Sequence, residues 1–253
     1  MDSADLTHHI SRRYNDELER VRSRVLAMGG LVEQQLHRAL RALIEGDSAL
    51  GAAIASDDVL VDDFEVSIDE DCSVLLAMRA PTAGDLRVVV AMIKAVTDLE
   101  RIGDEGEKIG GLAARLAILE RPSDNYHEVR HLGRVASEMV HDSLDAFARM
   151  DAASALAVAQ RDRLLDEEFD SVQRQCISYM MEDPRTIRRA LDLLWIMRAL
   201  ERVGDHAKNI SQYVIYMVYG EDVRHRSTFS VESQIEGGRR AITIGSQIPP
   251  PPE

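Results

Sequence analysis

Cysteine, proline, aromatic residues and long apolar runs are all scarce in this chain of 253 residues. The two cysteines, Cys72 and Cys176, form no Cys-x-x-Cys motif, and we expect both to be buried small apolar residues rather than a disulfide. No run of about 18 apolar residues occurs, so no membrane-spanning helix is predicted. The acidic start Met1–Asp5 lacks the apolar segment of a signal peptide. Together these features predict a cytoplasmic protein.

The scarcity of proline and aromatic residues favours long helices. Four of the seven prolines form the run 249–252, and the others, Pro81, Pro122 and Pro184, separate long proline-free stretches. Aromatic residues make up 4% of the chain, whereas all hydrophobic residues make up 45%. Leucine, isoleucine, valine, alanine and methionine must therefore form most of the core, which is typical of helices packed on helices.

Lysine and arginine are outnumbered by aspartate and glutamate, and the formal net charge is -14. A face that binds nucleic acid is normally basic, and an anionic lipid surface would repel this chain, so we predict neither partner. The charge is compatible with cation binding or with a basic protein partner. The chain contains no Gly-x-Ser-x-Gly, P-loop or dinucleotide-binding motif, so we predict that it is not an enzyme.

Apolar residues recur at three- and four-residue steps along six segments, as expected for amphipathic helices. The predicted helices cover approximately residues 6–45, 48–78, 82–116, 125–150, 152–181 and 184–220. Turns at Gly46, Pro81 and Pro184 are short, which favours helices that run up and down beside one another.

An internal repeat organises these helices. The segment Leu99–Asp104 returns as Leu200–Asp205, with Ile102 answered by Val203. On the preceding helices a pair of aspartates four residues apart also recurs, at an offset of 104 residues. Such long-range agreement indicates that a three-helix unit was duplicated.

The repeat predicts an all-α fold of two tandem three-helix bundles with six long helices, elongated and flat. The first bundle is predicted to span residues 1–121 and the second residues 122–220. The remaining segment, 221–253, has no sustained helical period, and we predict a flexible tail.

Each copy of the motif places a glutamate and an aspartate on the same face of a helix. One such pair is usually a salt-bridged surface worth about 0–1 kcal/mol, and Arg101 and Arg202 are available for that role. Three features favour a cation site instead: the repetition, the aspartate pair on the preceding helix, and Gly103 and Gly204, which allow close approach. The predicted metal ligands are Glu100, Asp104, Glu201 and Asp205, with Asp58, Asp62, Asp162 and Asp166 as weaker candidates.

Carboxylate oxygens suit hard cations, so iron, Mg, Mn or Ca is favoured over Zn, although Zn is kept among the predicted divalent or trivalent cations. Histidine ligands are not predicted, because His206 follows Asp205 directly and projects about 100° away around the helix. Glu138 and His141 form one Glu-x-x-His spacing of the kind that di-iron carboxylate bundles contain twice. A metal-storing or di-iron helical bundle is therefore the alternative prediction.

The chain resembles the PhoU family of accessory and regulatory proteins of bacterial phosphate uptake. The resemblance spans about His9 to Gly220 and lies in Ala80–Arg87, both Glu-x-x-x-Asp motifs and Leu200–Ile210. It implies two three-helix bundles related by a pseudo-two-fold axis. It also implies a cytoplasmic, frequently homodimeric negative regulator of phosphate uptake and phosphate-starvation signalling. The implied partners are the ATPase subunit of the phosphate ABC transporter and a sensor histidine kinase.

The resemblance also implies that the four ligands predicted first belong to metal clusters. The two copies differ beside these residues, since Glu105–Glu107 in the first copy corresponds to His206–Lys208 in the second. The first site is therefore more acidic, and we expect the two copies to bind cations unequally.

Overall fold

The computed structural model describes residues 3–79, 81, 83–119 and 126–223, which form six α-helices and one short 3-10 turn. The helices are α1 Ser3–Glu45, α2 Ser48–Arg79, α3 Ala83–Leu116, α4 His127–Arg149, α5 Ala152–Glu182 and α6 Ile187–Tyr219, with the 3-10 turn at Pro184–Thr186. No strand occurs in these ranges, and the predicted all-α class with six long helices is confirmed.

Local sequence explains where the helices end. Gly46 has a positive φ of 70° after α1, and the side chain of Asp47 accepts a hydrogen bond from the Leu50 amide at 2.9 Å, which caps α2. Pro184 precedes α6, where its missing amide proton costs little, and Gly220 terminates α6 with a φ of 76°. The predicted bundle boundary at residues 121 and 122 and most of the predicted tail lie outside the described residues.

The helices pack as two sets of three. Helices α1, α2 and α3 contact one another, as do α4, α5 and α6, and the two sets meet where α3 packs on α6 and α1 packs on α4. Within the described residues, α2 contacts only helices of its own bundle, and so does α5. Four central helices are thus flanked by α2 on one side and α5 on the other, which confirms the predicted pair of bundles.

A reciprocal contact between α1 and α4 reveals the pseudo-two-fold relation. A side-chain carbon on Gly29 would lie 2.6 Å from Leu144 Cδ2, and one on Gly133 would lie 2.6 Å from Leu40 Cδ2. Gly133 follows Gly29 by 104 residues, and Leu144 follows Leu40 by the same number. Each leucine therefore fills the space over the opposite glycine, and the two bundles interlock at equivalent positions.

Aliphatic side chains and methionine form most of the core, as the composition predicts. Fully buried examples on the central helices are Met28, Leu36, Met92, Leu99, Ile102 and Met139. Burying one such side chain stabilises the folded protein by roughly 1.5–3 kcal/mol. Cys72 and Cys176 are buried and free, which confirms the expectation for both thiols. None of the described helices contains a stretch long and apolar enough to cross a bilayer.

The close approach of α2 to α3 at Gly51 gives a stability prediction. A side-chain carbon on Gly51 would lie 2.6 Å from the carbonyl oxygen of Gly110, a backbone atom that cannot move without its helix. We expect Gly51→Ala to lower the free energy of unfolding by about 1–3 kcal/mol. Gly30→Ala is the matched control: with nothing within 4 Å, it should raise that free energy by about 0.5–1 kcal/mol. Urea unfolding followed by circular dichroism measures both, and equal effects would contradict the close packing at Gly51.

Candidate metal centres

Three carboxylates from α2 and α3 converge in the first bundle. One oxygen from each of Asp58, Asp104 and Glu107 lies within 4.8 Å of the others, and all three residues are half-buried. Hard cations such as Ca²⁺ bind carboxylate oxygens at about 2.3–2.6 Å, so one cation fits between oxygens at this separation. The group can therefore supply three ligands to a single metal ion.

Helix α1 contributes a buried amide to the same place. Gln35 is 4% exposed, and its Nε2 donates to Asp58 Oδ1 at 2.8 Å and to the carbonyl oxygen of Gly103 at 3.3 Å. Its Oε1 is buried and has no hydrogen-bond partner. A side-chain carbon on Gly103 would lie 3.1 Å from Asp58 Oδ1, so this glycine lets α2 come close to α3. This confirms the close approach that the sequence predicts at this position.

The crowded carboxylates of the first bundle favour protonation. Burial raises the pKa of Asp58 and of Glu107, and the nearby Asp62 and Asp104 raise both further. The hydrogen bond from Gln35 opposes the rise at Asp58 without cancelling it. A bound cation would remove this repulsion, because it favours the charged form of every carboxylate around it.

The predicted pair Glu100 and Asp104 is also salt-bridged. Arg101 places Nε 3.3 Å from Glu100 Oε2 and Nη1 3.2 Å from Asp104 Oδ2. Burial raises the pKa of Glu100, Asp104 raises it further, and Arg101 lowers it in part. Glu100 is thus close enough to the three converging carboxylates to feel the charge of Asp104, although it is not one of them. Asp104 belongs both to that group and to the ion pair with Arg101.

The equivalent acidic cluster of the second bundle carries a cation of its own. Lys208, the counterpart of Glu107, donates a hydrogen bond from Nζ to Asp162 Oδ2, and the side chain of Asp162 is 4% exposed. Burial lowers the pKa of Lys208, but this bond and the carboxylates of Asp205 and Asp166 outweigh burial and raise it. The ammonium group therefore stays charged, where the first bundle has another carboxylate.

The remaining carboxylates of the second bundle are crowded as well. Burial and neighbouring carboxylates raise the pKa of Asp166, Glu201 and Asp205, and Arg198 Nη1 lies 2.7 Å from Glu201 Oε1. Met139 stands 104 residues after Gln35, so an apolar side chain replaces the amide on the equivalent helix. The two acidic clusters have thus diverged chemically.

A profile of the PhoU domain matches residues 25–113 and 129–214, one match in each bundle. The chain belongs to the PhoU family. It is 48% identical over 244 residues to a phosphate-specific transport system accessory protein PhoU homologue of Pseudomonas putida, covering 96% of this chain and 95% of that one. The Escherichia coli K12 accessory protein PhoU is 43% identical over 229 residues, with 89% and 93% covered.

Solved structures agree with this membership. The crystal structure of PhoU from Pseudomonas aeruginosa matches with a TM-score of 0.80 and 48% identity, covering 82% of this chain and all of that one. The phosphate transport system regulatory protein PhoU from Streptococcus pneumoniae matches with a TM-score of 0.77 at 28% identity, covering 83% and 99%. The six-helix architecture is thus that of known PhoU proteins.

Within this PhoU-family fold, three residues of the clusters were not among the predicted ligands. Glu107 follows Asp104 by three residues and lies on the same helix face, a spacing that could have identified it. Gln35 comes from a third helix and has no local signal, and Lys208 is visible only by alignment of the two copies. Asp62 is exposed and lies outside the converging group, whereas Asp58 and Asp104 are at its centre.

Other polar residues of this chain have different partners from those that the sequence suggests. Arg202 pairs across the bundle interface with Glu105 at 2.7 Å, not with Glu201 or Asp205. His206 Nδ1 lies 2.7 Å from Asp98 Oδ1, so this histidine joins α6 to α3.

The raised carboxylate pKa values predict how the stability of this PhoU-family protein depends on pH. The folded state holds protons more tightly than the unfolded chain, whose carboxyl groups titrate near about 4. Stability therefore falls as pH rises through the folded pKa values, and it rises on acidification until the unfolded chain also protonates. We expect the melting temperature of chelator-treated protein to increase from pH 7.5 to about pH 5. A steady decrease over this interval would contradict the crowding of Asp58, Glu107 and Asp205.

Proposed function

We propose that this protein is a non-enzymatic negative regulator of phosphate uptake and of phosphate-starvation signalling. It acts in the cytoplasm, as a homodimer, as an adaptor between the ATPase subunit of the phosphate ABC transporter and a sensor histidine kinase. The observation that carries the proposal is the identity of 43–48% over most of the chain to proteins named as accessory proteins of the phosphate-specific transport system. Family matches in both bundles add support.

We further propose that the first bundle holds a divalent or trivalent cation through Asp58, Asp104 and Glu107. The convergence of their oxygens supports this role, and Glu100 and Asp62 add negative charge around the site. A bound cation would neutralise the carboxylates and hold α2 against α3. The second bundle, with Glu201, Asp205, Asp162 and Asp166, would bind a cation more weakly, because the ammonium group of Lys208 already neutralises part of the negative charge of these carboxylates. Metal analysis of untagged protein purified without chelators tests occupancy.

Co-purification tests the adaptor role. We expect the protein to retain the transporter ATPase subunit and the sensor kinase, and we expect the amount retained to change with added phosphate. The paired changes Asp104→Asn and Glu107→Gln, which remove two of the three converging carboxylates, then separate the metal from the regulation. Phosphate-responsive repression that persists without bound metal would assign the cation a structural role, whereas substrate turnover lost in this variant would replace the adaptor proposal with an enzymatic one.

The alternative, a metal-storing or di-iron bundle, has less support from side-chain contacts. Glu138 Oε1 accepts a hydrogen bond from Arg134 Nη1 at 2.8 Å, while His141 Nδ1 lies 2.8 Å from Glu33 Oε1. The two residues of the Glu-x-x-His spacing are therefore engaged with different partners. Iron loading well beyond the number of acidic clusters would favour storage over regulation.

A further inference from the structure

A groove opens along one end of the contact between α3 and α6. The two helices run antiparallel, since Arg115 Nη2 lies 2.6 Å from Asp192 Oδ1 at one end and Asp98 meets His206 at the other. The groove has a volume of about 570 Å³. We call it the tryptophan groove, and its exposed side chains include Lys108, Arg115, Trp195, Arg198 and Arg202.

Cations face the solvent in this groove while their carboxylate partners are buried beneath them. The side chains of Lys108 and Arg115 are 51% and 57% exposed, whereas that of Glu105 is 3% exposed. Glu105 Oε1 accepts both Lys108 Nζ at 3.0 Å and Arg202 Nη1 at 2.7 Å. One buried carboxylate thus positions two cations, whose side chains remain 51% and 42% exposed. The charged side chains that this groove exposes to solvent are therefore basic, on a chain whose net charge is -14.

The cations of the groove are also held in place. Arg198 Nη1 bonds Glu201 Oε1 at 2.7 Å, and the Arg198 guanidinium lies 5.8 Å from the centre of the Phe169 ring. Arginines fixed in this way lose less conformational entropy when they bind a carboxylate of another molecule. The groove is therefore prepared to accept negative charge.

Trp195 is the single tryptophan of the chain, and it is 64% exposed in the groove. Tryptophan and arginine are the residues most enriched among those that dominate the energy of protein interfaces. An exposed indole contributes little to the core of its own fold, but it offers a large apolar area to a partner.

The opposite end of the same helix pair provides an internal comparison. Lys94 stands 101 residues before Trp195, and its Nζ lies 5.7 Å from the centre of the Tyr213 ring and 6.0 Å from that of Tyr216. Asn209, the counterpart of Lys108, donates to Asp98 Oδ1 at 3.0 Å. At that end a lysine lies against an aromatic ring and a neutral amide replaces Lys108, whereas the paired cations Lys108 and Arg115 of the tryptophan groove remain more than half exposed to solvent.

We infer that the tryptophan groove binds an acidic segment of a partner protein, with carboxylates on the four cations and an apolar side chain over Trp195. Two observations favour a protein segment over a nucleic acid or a lipid surface. The groove is local and partly apolar, and the acidic remainder of the chain would repel an extended polyanion. This inference does not depend on the proposed role in phosphate signalling.

Trp195 reports on the groove directly because its fluorescence is the only tryptophan signal of the protein. The probe is a synthetic helical peptide of repeated Glu-Glu-Leu-Ala units, and its control carries lysine in place of glutamate. We expect the acidic peptide to shift Trp195 emission to shorter wavelength, with a dissociation constant of the order of micromolar at low salt and weaker binding as salt is added. The lysine peptide should leave the emission unchanged.

Variants locate the binding by anisotropy of the labelled peptide. Lys108→Gln with Arg115→Gln should weaken binding about tenfold, and Trp195→Ala about thirtyfold. The matched control is Arg163→Gln, which removes an exposed cation on α5 outside the groove. Thermal melts establish that each variant is folded, and Lys108→Gln alone, which leaves Arg202 on Glu105, should still weaken binding about threefold.

Three results would overturn the inference. Equal weakening by Arg163→Gln would assign binding to net charge. A single-stranded oligonucleotide or phosphatidylglycerol vesicles that shift the emission at lower concentrations than the peptide would assign the groove to nucleic acid or membrane. Emission that changes on dilution of the protein alone would assign it to contact with a second copy.

Discussion

Glu107→Lys is expected to weaken cation binding in the first bundle by at least about 100-fold, or about 2.7 kcal/mol. The substitution removes one of three converging carboxylates and copies the residue found at the equivalent position of the second bundle, Lys208. A lysine ammonium about 4 Å from the bound cation costs roughly 4 kcal/mol for each unit of charge on that cation, at an effective dielectric constant of 20. Repulsion alone can therefore account for the loss of affinity. Mn²⁺ binding followed by electron paramagnetic resonance measures it.

The same substitution should have the opposite effect on the metal-free protein. Burial, together with Asp62 and Asp104, raises the pKa of Asp58. A lysine beside Asp58 favours its charged form, so the melting temperature without metal should rise. Glu167→Lys on α5 is the matched control, because this substitution makes the same change of charge at a side chain that is 62% exposed. It should alter Mn²⁺ affinity less than about twofold. Unchanged Mn²⁺ binding by Glu107→Lys would remove the first-bundle site.

Lys208→Met should lower the free energy of unfolding by roughly 3 kcal/mol. The variant keeps the aliphatic stem but leaves the carboxylate of Asp162, whose side chain is 4% exposed, without its ammonium partner. The expected loss is at the lower end of the range for buried ion pairs because the Lys208 side chain is 34% exposed. Chemical denaturation at pH 7 in the presence of chelator gives the value.

A double-mutant cycle separates the unpaired charge from lost packing. Asp162→Asn in the Lys208→Met background removes the stranded carboxylate and should recover about half of the lost stability or more. Added divalent cation should also stabilise Lys208→Met more than the parent protein, because the second cluster would then resemble the first. A double variant no more stable than Lys208→Met would show that the ion pair is not the cause.

The duplicated architecture could be predicted from the sequence because it rests on local signals. Gly46, Pro184 and Gly220 mark helix ends. The acidic motifs show the offset of about one hundred residues between the two copies. Helical periodicity then determines which faces are buried. The predicted boundaries lie within a few residues of the observed helices.

The composition of the candidate site was only partly predictable, because it depends on which helices meet. Asp58 and Asp104 lie 46 positions apart and come together only when α2 packs on α3. Gln35 enters from α1, and no spacing rule connects it to either aspartate. Periodicity locates each helix face, but the pairing of faces depends on side-chain packing between helices, which the motif alone does not contain.

The interlocked leucines Leu40 and Leu144 have a consequence for how such a molecule can evolve. A single three-helix unit with this face would need a second polypeptide to cover it. Here the second unit is tethered in the same chain, at a fixed effective concentration, so the contact forms without a search for a partner. The two units are then no longer obliged to be identical. The first has Lys94 and Glu107 where the second has Trp195 and Lys208. The covalent link between the bundles therefore allows each to carry different side chains at equivalent positions while their shared interface is kept.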